Sequence, residues 1–467
     1  MRAFYSVIKS FFILAIASAG IAGCAVKAPP ASEELQEQAF TNFILPSTWQ
    51  QSSAGQSDST QLTGNWLSSF NDPKLDSLVA EALIYNYDLK ISCLRIDQSM
   101  DYVKVAQAAL RPAISIFGRE NTKLGGDLGG GLNGAVFSAS WELDLWGRLR
   151  NARNAAEANL LALESEVSFA HLSIAAMISR SYYLATEIYL EAELAREMIR
   201  ISQMMVDVST KRLEIGIGTE IDLVVAQANL NNLKDGLLQL ELAYANQLRA
   251  MEILLGRYPA AEVQVNSELM EISTVIPAGI PFQILERRPD VLAAQQRFNA
   301  SFYLVGEAKA ARLPRLSLTA GFGAINSQVI TLRPDFSNPI RNFGGELVAP
   351  IYQGGALKAN VEIRNSQQKE AAEVYGRTVL NAIGDVENAL DAVQTVDSRE
   401  EFLAAAVTSN QKAFELQQQL FEVGKTDMRD VIRQQMDLFS TQISLLRVRG
   451  EKITQRINLY LALGGNM

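Results

Sequence analysis

Few residues in this 467-residue chain are of types that carry chemistry, and their spacing excludes most of it. The single histidine, His171, lies in an apolar helical pattern, with no second histidine to share a metal and no nucleophile beside it. It reads as a satisfied core or helix-surface residue. The run Gly125-Gly126-Asp127-Leu128-Gly129-Gly130-Gly131 is not followed by Gly-Lys-Ser/Thr, so it reads as a hairpin loop and not a phosphate cradle. Cys93 falls in the helical pattern Leu89–Leu94 and reads as a buried, inert thiol. No catalytic group can be assembled and no cofactor site is implied. The carboxylates are spread along helical faces. Two of them, Asp222 and Asp430, each follow a glycine by six residues, Gly216 and Gly424. A glycine ends a helix by turning left-handed, and an aspartate suits the start of the next helix, so the chemistry here is capping.

The strongest reactive signal is Cys24. Arg2 and Lys9 form a short basic region, Phe11 to Ala17 an apolar one, and small residues lead to Ile21-Ala22-Gly23-Cys24. This stretch resembles a bacterial lipobox, where the cysteine thiol is alkylated by diacylglycerol and the peptide is cut before it. Ala25, in place of Asp, favours sorting to the outer membrane. Loss of Arg2 and Lys9 takes the formal charge from -9 to -11, which argues against a nucleic-acid partner. No stretch after the signal has the unbroken apolar run of a spanning helix, so any membrane crossing must use strands.

The second half of the chain repeats the first. Ala108, Ala109, Pro112 and Ser115 recur as Ala310, Ala311, Pro314 and Ser317, an offset of 202. Farther on the offset is 208: Gly147, Leu149 and Arg150 return as Gly355, Leu357 and Lys358. Glu214, Gly216, Asp222, Gln227 and Leu230 return as Glu422, Gly424, Asp430, Gln435 and Leu438. Each half reads as two strands followed by a long helix pair, and neither half can bury its own strand edges. A ring or barrel of repeated units follows, not a cleft enzyme.

From Ala135 to Trp146 the chain alternates, with Phe137, Ala139, Trp141, Leu143 and Leu145 on one face and Ser138, Ser140, Glu142 and Asp144 on the other. After Pro314, Leu316, Leu318, Ala320, Phe322 and Ala324 alternate with Ser317, Thr319, Gly321 and Gly323. A strand with one greasy and one wet face suits a barrel in lipid. Strands are placed at about 113–121, 135–146, 315–325 and 342–353. From Asn151 to Ile215, 65 residues contain neither glycine nor proline. As one helix that is roughly 98 Å long. An alternating three-four spacing selects a stripe from Leu163 through Met177, Leu184, Glu191, Ala195, Met198 and Ser202 to Met205, the pattern of close coiled-coil packing. Further helices are expected over Pro73–Leu110, Ile221–Leu255, Ala356–Val423 and Met428–Leu463. The segment Glu262-Val263-Gln264-Val265 suggests a short strand in a small middle region.

The organisation is thus a signal segment at 1–23 and a lipidated, extended tether at 24–63. A first repeat at 64–255, an inter-repeat segment at 256–290 and a second repeat at 291–467 follow. Leu285-Glu286-Arg287-Arg288-Pro289-Asp290-Val291, Ala310–Leu318, Leu143-Asp144-Leu145-Trp146-Gly147-Arg148-Leu149, Val386–Leu390 and Leu461-Ala462-Leu463-Gly464-Gly465 together resemble TolC-like outer-membrane efflux proteins. The fit is best to their lipidated branch, of the OprM and NodT kind.

The resemblance implies an α+β membrane protein that is a homotrimer. Each protomer gives four strands to a twelve-stranded outer-membrane β-barrel, continuous with a long periplasmic α-helical barrel. The loops 122–134 and 326–341 would face outside a Gram-negative cell, with the chain anchored in outer-membrane lipid through Cys24. The helical hairpin tips, with Gly216, Gly218 and Thr219 in one and Gly424, Lys425 and Thr426 in the other, would dock on a periplasmic adaptor of an inner-membrane pump of RND type. The family's gate often carries an acidic residue two positions after the second tip glycine. Thr426 stands there and Asp427 follows, so Asp427, with Asp430 and Asp222, is the gate candidate. The implied function is a passive exit duct for small molecules such as drugs. A type I protein-secretion channel and a lipid-anchored coiled-coil scaffold without a pore are the competing readings. The scaffold does not call for paired alternating strands at matching places in both halves.

Overall fold

The computed structural model describes residues 26–40, 49, 66–119, 133–270, 287–326 and 340–465. Cys24, the glycine run 125–131 and most of the loops 122–134 and 326–341 lie outside the described residues. The elements run α1 (Ser32–Ala39), a 3-10 turn (Trp66–Phe70), α2 (Pro73–Tyr85), α3 (Tyr87–Ala108), β1 (Ala113–Arg119), β2 (Asn133–Leu143), α4 (Arg148–Glu214) and α5 (Glu220–Leu254). Then come α6 (Pro289–Ala310), β3 (Arg315–Asn326), β4 (Ile340–Val348), α7 (Ala356–Glu422) and α8 (Met428–Ala462). The repeat is literal in length: α4 and α7 are 67 residues each, α5 and α8 are 35. The described chain forms two compact units, and each draws on both repeats. One contains 94–166 and 290–378 with the N-terminal stretch; the other contains 66–93, 167–289 and 379–465 in their described parts.

The first unit holds one antiparallel sheet in the order β1-β2-β3-β4. Two hairpins, one from each repeat, are joined by the long β2–β3 ladder. The register carries the alternation across all four strands. Ile116 stands opposite Phe137 and Phe137 opposite Phe322, while Ala139 and Ala320 lie between Ile114 and Phe343. Leu143, Leu316 and Leu347 form another row on this face. The other face places Ser115 by Ser138, with their hydroxyl oxygens 2.7 Å apart, and Glu142 by Ser317 and Glu346. Among the described residues, β1 and β4 each have one edge without a strand partner. The apolar face is open among the described residues: Ile114 is 77% and Phe343 82% exposed.

The N-terminal stretch is not an extended tether throughout. Leu35 of α1 is buried, Phe40 stacks on Tyr375 and Ser32 takes a hydrogen bond from Gln295. A polar composition concealed an apolar residue, Leu35, that finds a binding surface. The expected Pro73–Leu110 helix is two helices. Asn86 ends α2 through its backbone N–H to Ala82, and its side-chain oxygen accepts from Asp88 and Leu89 N–H at the start of α3. Its amide nitrogen donates to the Leu254 carbonyl at 2.8 Å, the end of α5. Residues 262–265 form no strand. Their backbone is held by side chains instead, with the Glu252 carboxylate accepting from Ala261 and Glu262 N–H, both at 2.7 Å.

The coiled-coil stripe on α4 holds from Glu191 through Ala195, Met198, Ser202 and Met205, all buried, while upstream only Ile174 of it is buried. There Met177 and Leu184 are exposed while Ile178, Tyr182, Tyr183 and Ala185 are buried. A straight helix of 3.6 residues per turn drifts off a 3.5-residue stripe. Here an aromatic core of Phe70, Tyr183, Trp66 and Tyr460 sets the buried face instead. The same helix contains an 18-residue window of mean hydropathy 1.3, long and apolar enough by itself to cross a membrane. A third of that window is buried, and within the helix Ala175, Ala176, Ile178 and Tyr182 are fully so. Cys93 is exposed, contrary to expectation. The face that α3 buries runs through Leu89, Ser99 and Val103, and Cys93 falls beside that line.

Asn86→Ala removes the cap of α3 and the bond to α5 at once. We expect a loss of roughly 2 kcal/mol, read as a lower unfolding midpoint by far-ultraviolet circular dichroism.

Candidate functional site

The two hairpin tips are built by the same local rules. At the end of α4, Gly216 adopts φ +78°. Its N–H bonds to the Leu213 carbonyl at 3.0 Å and Ile217 N–H to the Arg212 carbonyl at 2.9 Å, the Schellman arrangement. At the end of α7, Gly424 has φ +76°, with Gly424 N–H to Phe421 and Lys425 N–H to Leu420. Nothing surrounds either glycine closely, so the backbone conformation alone selects the residue. Thr219 then caps α5 in a reciprocal box. Its hydroxyl oxygen accepts from Asp222 N–H, and the Asp222 carboxylate accepts from Thr219 N–H.

In the second tip the capping residue is Asp427, which accepts from Asp430 N–H at 3.1 Å. The 208 offset places Asp427 on Thr219, so the capping role, and not the gate position at Thr426, is the one the repeat assigns to it. Thr426 donates to the Asp430 carboxylate at 2.9 Å and accepts from Gln417. Asp427 also pairs with Arg429 at 2.8 Å. That hydrogen bond holds its carboxyl below the usual aspartate range, so Asp427 stays ionised through the neutral region.

The structure brings the two tips together through residues that sequence reasoning did not single out. The Asp222 carboxylate also accepts from Met428 N–H at 3.4 Å, at the first residue of α8. The Arg212 guanidinium lies 4.6 Å from the centre of the Phe421 ring and donates to the Phe421 carbonyl. Behind them Met205, Val206, Leu230, Phe414, Phe421 and Met428 form a closed apolar cluster. One step farther is a buried polar knot: Asn229 donates to Ser202 and to Gln435, and Gln435 donates to the Met198 carbonyl. Gln435 is wholly buried, so a fully satisfied network is required there.

The other recognisable segments also act on helix ends. Asp144 accepts from Leu149 and Arg150 N–H at 3.0 and 2.9 Å and caps α4, and the Arg150 side chain closes on the same carboxylate. Gly147, at φ +75°, leaves room for Val26, whose methyl would lie 2.9 Å from an added Cβ. Arg288 is 4% exposed; it donates to the Ala462 carbonyl at the end of α8, to the Ala382 carbonyl and to Asp385. Pro289 starts α6, where its missing N–H costs nothing. Trp141 and Trp146 direct their indole N–H groups to the carbonyls of Leu110 and Pro314, the residues leading into β1 and β3. His171 is half-buried, and its Nε2 makes no hydrogen bond among the described residues.

Gly216→Ala or Gly424→Ala places a Cβ in the left-handed region, at a cost of about 1 kcal/mol. Asp222→Ala removes the box and the bond to Met428, whereas Asp222→Asn keeps the acceptor. Hydrogen exchange of the Thr219 and Met428 amides, which donate to the Asp222 carboxylate, should quicken in the alanine variant and change little in the asparagine one.

The family model described as outer membrane efflux protein matches residues 78–257 and 280–465. The cation efflux system protein CusC of Escherichia coli is 29% identical over 417 residues, covering 86% of this chain and 88% of that protein. The pyoverdine export outer membrane protein OpmQ of Pseudomonas aeruginosa is 28% identical, covering 91% and 92%. Among solved structures, the outer-membrane channel OprN superposes with a TM-score of 0.82 at 21% identity, over 94% of this chain and 99% of that one.

Proposed function

The chain belongs to the outer membrane efflux protein family, whose members are channels and not enzymes, and we propose that it serves as the passive exit duct of a tripartite pump. In this reading a homotrimer spans the outer membrane with its strands. A periplasmic adaptor and an inner-membrane pump of RND type supply cargo and energy.

The observation that carries the proposal is the open sheet, apolar on one face and unpaired at β1 and β4. Lipid offers no water to bare backbone groups, so such edges must close on other copies. Eight strands would leave an interior filled by side chains, whereas twelve leave a passage. Exposed apolar residues on the helices, such as Tyr87 and Tyr102 on α3 and Leu238 and Leu242 on α5, suit contact with those copies. A pore-less scaffold has no use for such a sheet.

The tips formed by Gly216, Gly218, Thr219, Gly424, Lys425 and Thr426 are the proposed adaptor-docking surface. Asp222, Asp427 and Asp430 would supply fixed negative charge at the mouth; Asp427 and Arg429 remain paired across neutral pH, which favours a charge filter over a pH gate. Small molecules such as drugs are the proposed cargo. The named relatives export a cation in one case and pyoverdine in the other, which fits a duct whose cargo is chosen by the pump. Cys24 is the proposed lipidation site. It precedes Val26 by two residues, a reach of about 7 Å, and Val26 packs on Gly147 just beyond β2.

Detergent-corrected mass should be three times that of the mature chain, the 51.2 kDa precursor less residues 1–23; a folded monomer would sink the shared barrel. Phe137→Arg, on the apolar face, should cost about 2–4 kcal/mol and reduce recovery of trimer from membranes. Ser138→Arg, one residue on, should be tolerated. Cys24→Ala should abolish incorporation of labelled palmitate and leave the mass of the assembled trimer otherwise intact.

A further inference from the structure

Gly236, Gly384 and Gly450 of the second unit lie inside helices, and of these only Gly450 has a side chain set against it. Gly450 lies within α8, where glycine costs about 1 kcal/mol relative to alanine. It is buried, and an added Cβ would fall 1.8 Å from Oε2 of Glu187 and 2.9 Å from its carboxyl carbon. The Glu187 carboxyl of α4 therefore occupies the notch that the missing side chain leaves in α8.

Its neighbours are already committed. From α4 comes Glu191, 2% exposed, which takes two hydrogen bonds from Arg447 of α8 at 2.7 and 3.2 Å. From α8 come Arg447 and Glu451, and Glu451 is held by Arg399 of α7 at 2.6 Å. From α5, Tyr244 packs at a tilt on Tyr189 of α4, two residues beyond Glu187. Glu187 thus faces two carboxylates and one arginine that Glu191 engages in a forked pair, and it forms no ion pair among the described residues.

We infer that Glu187, seated over Gly450 between α4 and α8, is a proton-binding site whose occupancy sets how tightly these two helices pack. Burial first, and the charge of Glu191 and Glu451 next, raise its carboxyl to about 7, with Arg447 pulling the other way. An unfolded glutamate titrates near 4.3. Between the two values the folded chain binds a proton that the unfolded chain does not. The α4–α8 contact is therefore tightest in acid and loosens as pH rises toward and through 7. Above that, an ionised, half-buried carboxylate lies beside two others, and their repulsion loosens the contact. The site is a property of the helix pair within one chain and holds whether or not the chain serves as a duct.

The test uses the intact detergent-solubilised protein. Hydrogen exchange of amides in 183–191 and 446–454, corrected for the intrinsic pH dependence of exchange, is compared at pH 5.5 and 8.5. The unmodified protein should lose protection several-fold at the higher pH, and Glu187→Gln, which keeps the shape without the charge, should not. Carbon-detected titration of the Glu187 carboxyl should give a midpoint near 7 that falls in Glu451→Gln. Protection that changes equally in Glu187→Gln, or an ordinary glutamate midpoint, would overturn the inference. Neither result depends on channel activity, so failure of the duct reading would leave this test intact.

Discussion

Backbone hydrogen bonding is the constraint on which the rest of this molecule depends. The sheet has four strands, two bare edges and one continuous apolar face. In water such edges invite aggregation; in lipid each unpaired group costs several kcal/mol, and the only remedy is closure. Duplication answers part of that requirement. Each repeat brings one hairpin, and the eleven-residue β2–β3 ladder from Asn133↔Asn326 to Leu143↔Leu316 joins them into one sheet. The remaining edges are what make a single chain incomplete.

A second principle runs through the helical part: nearly every recognisable motif is a device for ending or starting a helix. Gly216, Gly256, Gly424 and Gly464 all sit at positive φ after the four long helices. Asp144, Thr219 and Asp427 start helices, and Arg288 satisfies carbonyls where α8 ends. Helices of 35 and 67 residues leave few ends, but each end strands four backbone groups, and a bundle of long helices turns only where these are answered. The residues that identify the family are thus architectural. This suits a family whose members carry chemically different cargo through one fold.

Buried polar groups add a finer layer. The Ser202–Asn229–Gln435 knot and the Glu187–Glu191–Arg447 group both lie between helices that an all-apolar seam could join in several registers. A satisfied polar knot admits one register, and a carboxyl held in a glycine notch makes the packing answer to protons.

Much was legible from the chain alone. The absence of glycine and proline over 151–215, with glycines at matching offsets, placed the four long helices within a few residues, because helix ends are decided by local backbone chemistry. Period-two alternation placed β2 and β3, since neighbouring side chains in a strand must face opposite ways. The same offset could have identified Asp427 as the counterpart of Thr219, and Gly256 as that of Gly464. What the sequence could not decide was which face of each helix is covered. Met177 and Leu184 looked like core and are exposed, Cys93 looked buried and is exposed, and Leu35 sat unnoticed in a polar stretch. Asn86 breaking one helix into two, and Asp222 reaching Met428 206 residues away, depend on partners distant in the chain. Local conformation follows from neighbouring residues, but burial and pairing follow from what the rest of the chain brings alongside, and only the tertiary structure supplies that.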